Sequence, residues 1–364
     1  MSKKGVRIVA AFLVIMMMAG CGDERILERL GFIESQSFDL LPNGKLRITC
    51  SIPIADPQSE QNRKVIAIDA ESSKDAKLEF NKKTSLTLVS GQLRNLLISK
   101  SVAEQGLWDK FDTFGRDPAI SPQVNISIVN GNAGHLLEKD YKQHPPTDKY
   151  VNRLLGKEAR AHTIPKMTLY EFSRDLLDDG IDSIAPIIKE EEDNITLDGI
   201  GLFMESKYVT KIDTEEAIIL GFLRGNLQRS AIDVELKKGQ QVMFNSLTSK
   251  RKVKVEHADT ERAKVAIHVH LKGSILEYTG PLKLDNPSNR REIAKTVSEH
   301  LTERANKMVK FMQKHQVDSL GIGQYVRNSL SHNEWQSMNW RDVYSKADIK
   351  CYVHIKIRNI GKSS

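Results

Sequence analysis

The tetrad Met18-Ala19-Gly20-Cys21 constrains this chain more than any other stretch, because it ends a secretory leader at a cysteine. Ahead of it lie Lys3, Lys4 and Arg7, then an apolar run from Ile8 to Met18. A bilayer span needs about 20 apolar residues, so this run is too short to be one. It has the length of a signal-peptide core, with small residues just before the expected cut. A cysteine directly after two small residues is the pattern of a lipoprotein processing site, with Met18 where Leu is usual. On that reading residues 1–20 are the leader, and cleavage falls between Gly20 and Cys21. Cys21 then carries S-diacylglycerol and N-acyl groups. The alternative is an ordinary secreted protein with an incidental cysteine.

Such a chain must bury its own core in water while tethered to a membrane surface. One acyl chain, at about 0.8 kcal/mol per CH₂, binds marginally, whereas two hold stably. The 343 residues beyond Cys21 contain no second long apolar segment, and their length predicts two or three domains. Net charge is +7 over the chain, and the leader's three basic residues leave +4 beyond it. A nucleic-acid binder concentrates basic residues on one face; so small an excess predicts no nucleic-acid partner. It is compatible with anionic lipid headgroups nearby.

Residues 31–38 and 45–55 read as strands joined by Pro42-Asn43-Gly44. Residues 69–85 read as helix and 93–99 as a buried strand. Ser101 and Glu104 form a capping-box pattern for a helix ending at Gly106. A short helix over 109–114 and a strand over 123–129 follow. Helices are expected over 150–160 and 168–178, the latter with Leu169, Phe172, Leu176 and Leu177 on one side. Glu190-Glu191-Glu192-Asp193-Asn194 reads as a solvated break, and the main boundary is placed there. Beyond it come a hairpin (200–203 with 208–212), a helix over 214–224, and three long strands over 231–237, 241–256 and 264–278. A long helix, Pro287–Lys314, has Asn286 as its cap, and a strand over 347–358 closes the chain. The mixture predicts an α+β (mixed α/β) fold of three domains, each a mixed or antiparallel sheet with helices packed on it. Their expected bounds are 21–190, 198–262 and 263–364.

Cys50 and Cys351 lie on the apolar faces of alternating strands. Two buried thiols are favoured over a disulfide, which the compartment would permit. His268-Val269-His270 sets two imidazoles on one strand face, but no third and fourth ligand follow, so no metal site is assigned. Gly321-Ile322-Gly323 lacks the third glycine of a phosphate loop and reads as a turn into a helix. Arg290, Arg291, Lys295, Arg304, Lys307, Lys310 and Lys314 make the long helix basic on its outer side. A solvated face is the default there, with lipid or partner contact the sharper option. Trp335 and Trp340 read as core anchors, with interface contact the alternative. No Ser-His-Asp or Cys-His arrangement stands out, so no catalytic residue, cofactor or enzymatic activity is expected.

A set of motifs runs through the whole chain in order. The first half holds Gly20-Cys21-Gly22-Asp23-Glu24, Gly31-Phe32, Arg116-Asp117-Pro118, and Gly131 with Ala133 and Leu136-Leu137. The second half holds Gly199-Ile200-Gly201-Leu202-Phe203, Lys207-Tyr208-Val209, and Glu215-Glu216 with Gly221-Phe222-Leu223. It ends with Asp318-Ser319-Leu320-Gly321-Ile322-Gly323, Trp335 and Asn339-Trp340. In order and spacing these resemble the C subunit of bacterial spore germinant receptors, the Ger(x)C lipoprotein family. Two departures stand out: Gly22 replaces the family's usual Trp, and the segment from Ser319 to Ile322 lacks the Phe often found there. The resemblance implies three α/β domains and a non-enzymatic subunit needed for receptor function. It also implies anchoring through Cys21 at the outer face of the spore inner membrane, with integral membrane A and B subunits as partners. Direct nutrient binding by this subunit is left open. The other readings are a solute-binding lipoprotein with two similar lobes around a cleft, and a surface hydrolase.

Overall fold

The computed structural model describes residues 29–54, 59, 61–107, 114–225 and 227–360. Cys21, the rest of its tetrad and most of the helix expected over 109–114 lie outside these residues. Eight strands build the larger sheet. They are β2 (Ser35–Leu40), β3 (Leu46–Pro53), β4 (Arg63–Ala70), β6 (Asn95–Ser99), β7 (Asn125–Val129), β8 (Ile184–Glu191), β9 (Asn194–Met204) and β10 (Lys207–Ile212). Their order is β10-β9-β8-β7-β6-β2-β3-β4. The centre, β2-β6-β7-β8, is parallel, and antiparallel strands flank it on both sides. Parallel strands need cover on both faces, which explains why the apolar run Leu96-Leu97-Ile98 is buried throughout. Leu97, Val129 and Ile188 pack with Val151 and Leu155 of the helix Thr147–Ala161; Leu96, Ile128 and Ile187 join the main core with Phe172.

Several expected elements are corrected by this sheet. The single strand expected over 31–38 is two strands in different sheets. β1 (Leu30–Phe32) pairs in parallel with β5 (Thr87–Val89), and β2 begins at Ser35. The switch occurs where Ile33 N donates to Val89 O and Glu34 N donates to Ser51 O. The helix expected over 69–85 spans Ser73–Lys82, because the alternation of Ile66, Ile68 and Ala70 carries β4 to Ala70 against β3. In the helix Lys100–Gln105 the N-cap is Ser99, and the Ser101 hydroxyl sits 3.0 Å from that of Ser99. The acidic run at 190–194 is a hairpin turn, with Glu192 at φ 54°. Lys139 Nζ (2.7 Å) and His135 Nδ1 (3.1 Å) hold the Glu190 carboxylate. The sheet therefore continues across the expected boundary.

The second sheet has the order β11-β12-β13-β14: Gln228–Lys237, Gln240–Ala258, Ala263–Tyr278 and Asp348–Ile360. Its first three strands form the expected meander, and β14 pairs in parallel with β13. A parallel pair requires a crossover, which the helix Pro287–Lys314 supplies with three short helices after it. This long helix starts as expected: Asn286 Oδ1 accepts from Ser288 N, and Pro287 occupies the first turn. Its buried stripe is Ile293, Val297, Leu301, Ala305, Met308 and Met312.

The free edge of β14 is sealed by the same helix. Ile355 N donates to Ser298 Oγ (3.0 Å), Val353 N to Thr302 Oγ1 (2.9 Å) and Cys351 N to Asn306 Oδ1 (2.9 Å). Four helical residues advance about 6 Å and two strand residues about 6.6 Å, so the two spacings coincide. The fold is mixed α+β, with two unlike principal sheets and a short ribbon.

Candidate functional site

The two principal sheets meet at a polar junction built from the segments 178–183 and 318–323. The helix Leu169–Leu177 leads into it from a capping box between Thr168 and Glu171. Just past its end, the Asp178 carboxylate accepts from Gly180 N (2.8 Å), Gln324 Nε2 (2.9 Å) and Arg327 Nη1 (3.0 Å). Gln324 N donates to Gly180 O at 3.1 Å, so the two backbones touch. A Cβ on Gly180 would stand 2.5 Å from Gln324 N. One on Gly323 would stand 2.5 Å from Trp340 Nε1 and 2.9 Å from Gly180 Cα. Glycine on both sides makes the crossing possible.

Two residues further on, the segments lock reciprocally. Asp182 N donates to Asp318 O (3.0 Å), and Asp318 N donates to Asp182 Oδ2 (2.6 Å). The Asp318 carboxylate then accepts from Ile322 N (3.0 Å), Gly323 N (2.7 Å) and Trp340 Nε1 (3.1 Å). Arg341 Nη2 binds Asp182 at 3.1 Å. The expected turn into a helix at Gly321 is present, with φ 66° at that residue. Asp318 itself fills the amides at that turn.

Asp318 is only 3% exposed. Burial outweighs its two amides and the indole, and with the nearby Asp182 charge pushes its carboxyl up to about 6. In the unfolded chain the same group titrates near ~3.9, so the folded state holds the proton more tightly. This contribution to stability is complete below about pH 4 and is lost as pH rises through about 6. The stability advantage of the wild-type chain over Asp318→Asn should therefore be larger at about pH 5 than at about pH 7. Urea denaturation at the two values checks it, and the opposite ordering would mean that the carboxylate, not the acid, is the favoured form.

Around this lock, Asp175 is buried between Arg174 (2.6 Å) and Arg224 (2.9 Å), and Arg224 also donates to Ser319 O. Trp335 and Trp340 are buried, as expected of core anchors, with ring centroids 6.0 Å apart. Trp335 Nε1 donates to Asp179 Oδ2 at 3.2 Å. Both rings line a cavity of about 630 Å³ with Asp178, Asp182, Met338 and Arg341. Asp178 and Asp182 there are already engaged by guanidinium or amide donors, so the arrangement is suited to joining two bodies.

Elsewhere, Cys50 in β3 and Cys351 in β14 are free and buried in different sheets. Burial raises both thiols, Cys351 to about 12. His268 stacks on Tyr352 (5.0 Å) and His270 on His354 (5.5 Å). No cluster of three or more His, Cys, Asp or Glu side chains suited to a metal occurs among the described residues. On the long helix, Arg304 pairs with Glu216 (2.9 Å), Lys307 with Glu303 (2.7 Å), and Arg290 donates to Leu284 O (2.8 Å). Part of that basic side is thus neutralised locally. Sequence reasoning missed Gly180, Asp182, Arg224 and Arg341; only the turn signal Asp178-Asp179-Gly180 hinted at the first. Asp318, Gly323, Trp335 and Trp340, which carry the resemblance in the second half, all gather at this junction.

No helix among the described residues is long and apolar enough to cross a membrane. Residues 23–190 match the family described as spore germination protein, N-terminal domain. Residues 198–361 match the one described as spore germination B3/GerAC like, C-terminal. The chain is 23% identical to spore germination protein GerQC of Bacillus cereus, covering 96% of this chain and 98% of that protein. It is 22% identical to spore germination protein B3 of Bacillus subtilis (strain 168), over 96% of each. The crystal structure of the GerBC protein superposes with a TM-score of 0.60 at 18% identity, covering 92% of this chain and all of that one. With both halves matched in order over nearly its whole length, this chain belongs to the spore germination GerAC-like family, the Ger(x)C family that its motifs resemble.

Proposed function

We propose that this protein is the lipid-anchored, non-enzymatic C subunit of a spore nutrient germinant receptor. It works through association with integral membrane A and B subunits at the outer face of the spore inner membrane. The observation that carries this reading is the family match over residues 23–190 and 198–361. The tetrad ending at Cys21 supports a tether ahead of the folded part. The eight-stranded and four-stranded sheets differ in size and strand order, unlike the paired similar lobes that a solute-binding lipoprotein requires.

Spores carrying Cys21→Ala should lose most of this chain from the membrane fraction, together with the germination response that depends on it. Normal germination with full membrane retention would overturn the anchoring. Pull-down from solubilised spore membranes should recover A- and B-type subunits with the wild-type chain, and recovery of the chain alone would overturn the association.

A further inference from the structure

The solvent face of β12, β13 and β14 is a basic platform. Cross-strand partners in a sheet share a face, so the register defines its rows. Lys250–His270–His354, Lys252–His268–Tyr352 and Lys254–Ala266–Lys350 cross the middle. Lys272 beside Lys356 and Lys264 beside Asp348 close the two ends. All seven lysines are exposed, and β11 pairs with β12 only as far as Thr248, so the middle rows lie beyond its end. Against the seven stand two acids, Glu256 and Asp348, an excess of five positive charges. The chain beyond the leader carries only +4 in total. The basic excess of the molecule is therefore gathered on one side of one sheet.

We propose that this face docks on an anionic phospholipid bilayer. Three features favour a lipid surface over nucleic acid. The cations in these rows are all lysines, which act as point charges and lack the bidentate fork of arginine that reads bases and grips phosphates in register. A broad three-stranded face also differs from the helix or two-stranded ribbon that enters a DNA groove. At its centre Tyr352 is 40% exposed and stacked on His268, an amphipathic ring of the kind enriched at headgroup level. Such contact turns a tethered molecule into an oriented one, with the long helix on the side away from the lipid.

Amine-reactive acetylation read by mass spectrometry tests this on the full lipidated chain reconstituted in vesicles. One set is phosphatidylcholine alone and the other is phosphatidylcholine mixed with phosphatidylglycerol. Flotation reports the anchor separately, so failure of the Cys21 reading is distinguishable. Lys252, Lys254 and Lys350 should be acetylated several-fold less on the anionic vesicles, while Lys295 and Lys314 of the long helix stay unchanged. High salt should restore the labelling, because surface charges are screened. The double variant Lys252→Glu with Lys350→Glu lies on exposed positions and should lose protection at the remaining lysines. Equal labelling on both vesicle types would overturn the proposal. So would protection by double-stranded DNA without protection by anionic vesicles, or protection seen only in native spore membranes and never on pure lipid.

Discussion

Replacing Asp318 by alanine is expected to lower stability by about 3–5 kcal/mol, from stranded donors that each cost ~1–3 kcal/mol less what relaxation recovers. The substitution leaves Ile322 N, Gly323 N and Trp340 Nε1 without their acceptor. All three donors sit beside the Gly180–Gly323 crossing, where the backbones are too close for a side chain to fill the gap. Water is the remaining acceptor, and reaching it means parting the segments. Loss of the lock should therefore also uncouple the two sheets. Fluorescence of Trp335 and Trp340 should change at lower urea than the far-ultraviolet circular dichroism, whereas the wild-type transitions should coincide. Coincident transitions and a loss below about 1 kcal/mol would show that the junction is not held by this carboxylate.

Arg63→Ala should cost a similar amount, about 3–5 kcal/mol, because it removes one partner of a buried charge network. Arg63 is 8% exposed and closes the end of the helix Ala133–Glu138. Its Nη1 donates to Leu137 O (2.6 Å), and its Nη2 to Glu138 O (3.1 Å), Lys139 O (3.1 Å) and Asp140 Oδ1 (2.7 Å). A cation at this end also complements the helix dipole. Asp148, 3% exposed, stands 4.0 Å from Nη1. The neighbouring Asp148 carboxyl, together with burial, pushes the Glu34 carboxyl up to about 7. Without the guanidinium, Asp148 faces that group with less compensation. Arg63→Lys should recover only part of the loss, since an ammonium cannot reach the carbonyls and Asp140 together. Denaturation of the two variants side by side checks this, and a Lys variant as stable as wild type would show that charge alone suffices.

What could be read from the sequence was local. The helix Pro287–Lys314 has its cap, its proline and its apolar stripe within the segment, and the strands of the second sheet alternate over long runs. The buried state of Cys50 and Cys351 follows from the same alternation. Where reading failed, a local cue met a tertiary decision. The acidic run at 190–194 has the composition of a linker, and the two family matches part there, at 190 and 198, but β8 and β9 still pair across it. Residues 69–72 have helix-compatible chemistry, but pairing with β3 holds the chain extended to Ala70. The junction was the least legible part, because Asp182 and Asp318 are 136 residues apart. Gly323 and Trp340 were visible as motif residues, but nothing local to either says that they close on Gly180.

The row of Ser298, Thr302 and Asn306 along β14 bears on how copies of this protein behave when crowded. The tether proposed at Cys21 would confine molecules to two dimensions and raise the rate at which they collide. An open strand edge would then template pairing with a neighbour, as in donor-strand exchange or fibril growth. Here the amides of Cys351, Val353 and Ile355 are already satisfied from within the chain. Neighbours can therefore pack densely without zipping together through this strand.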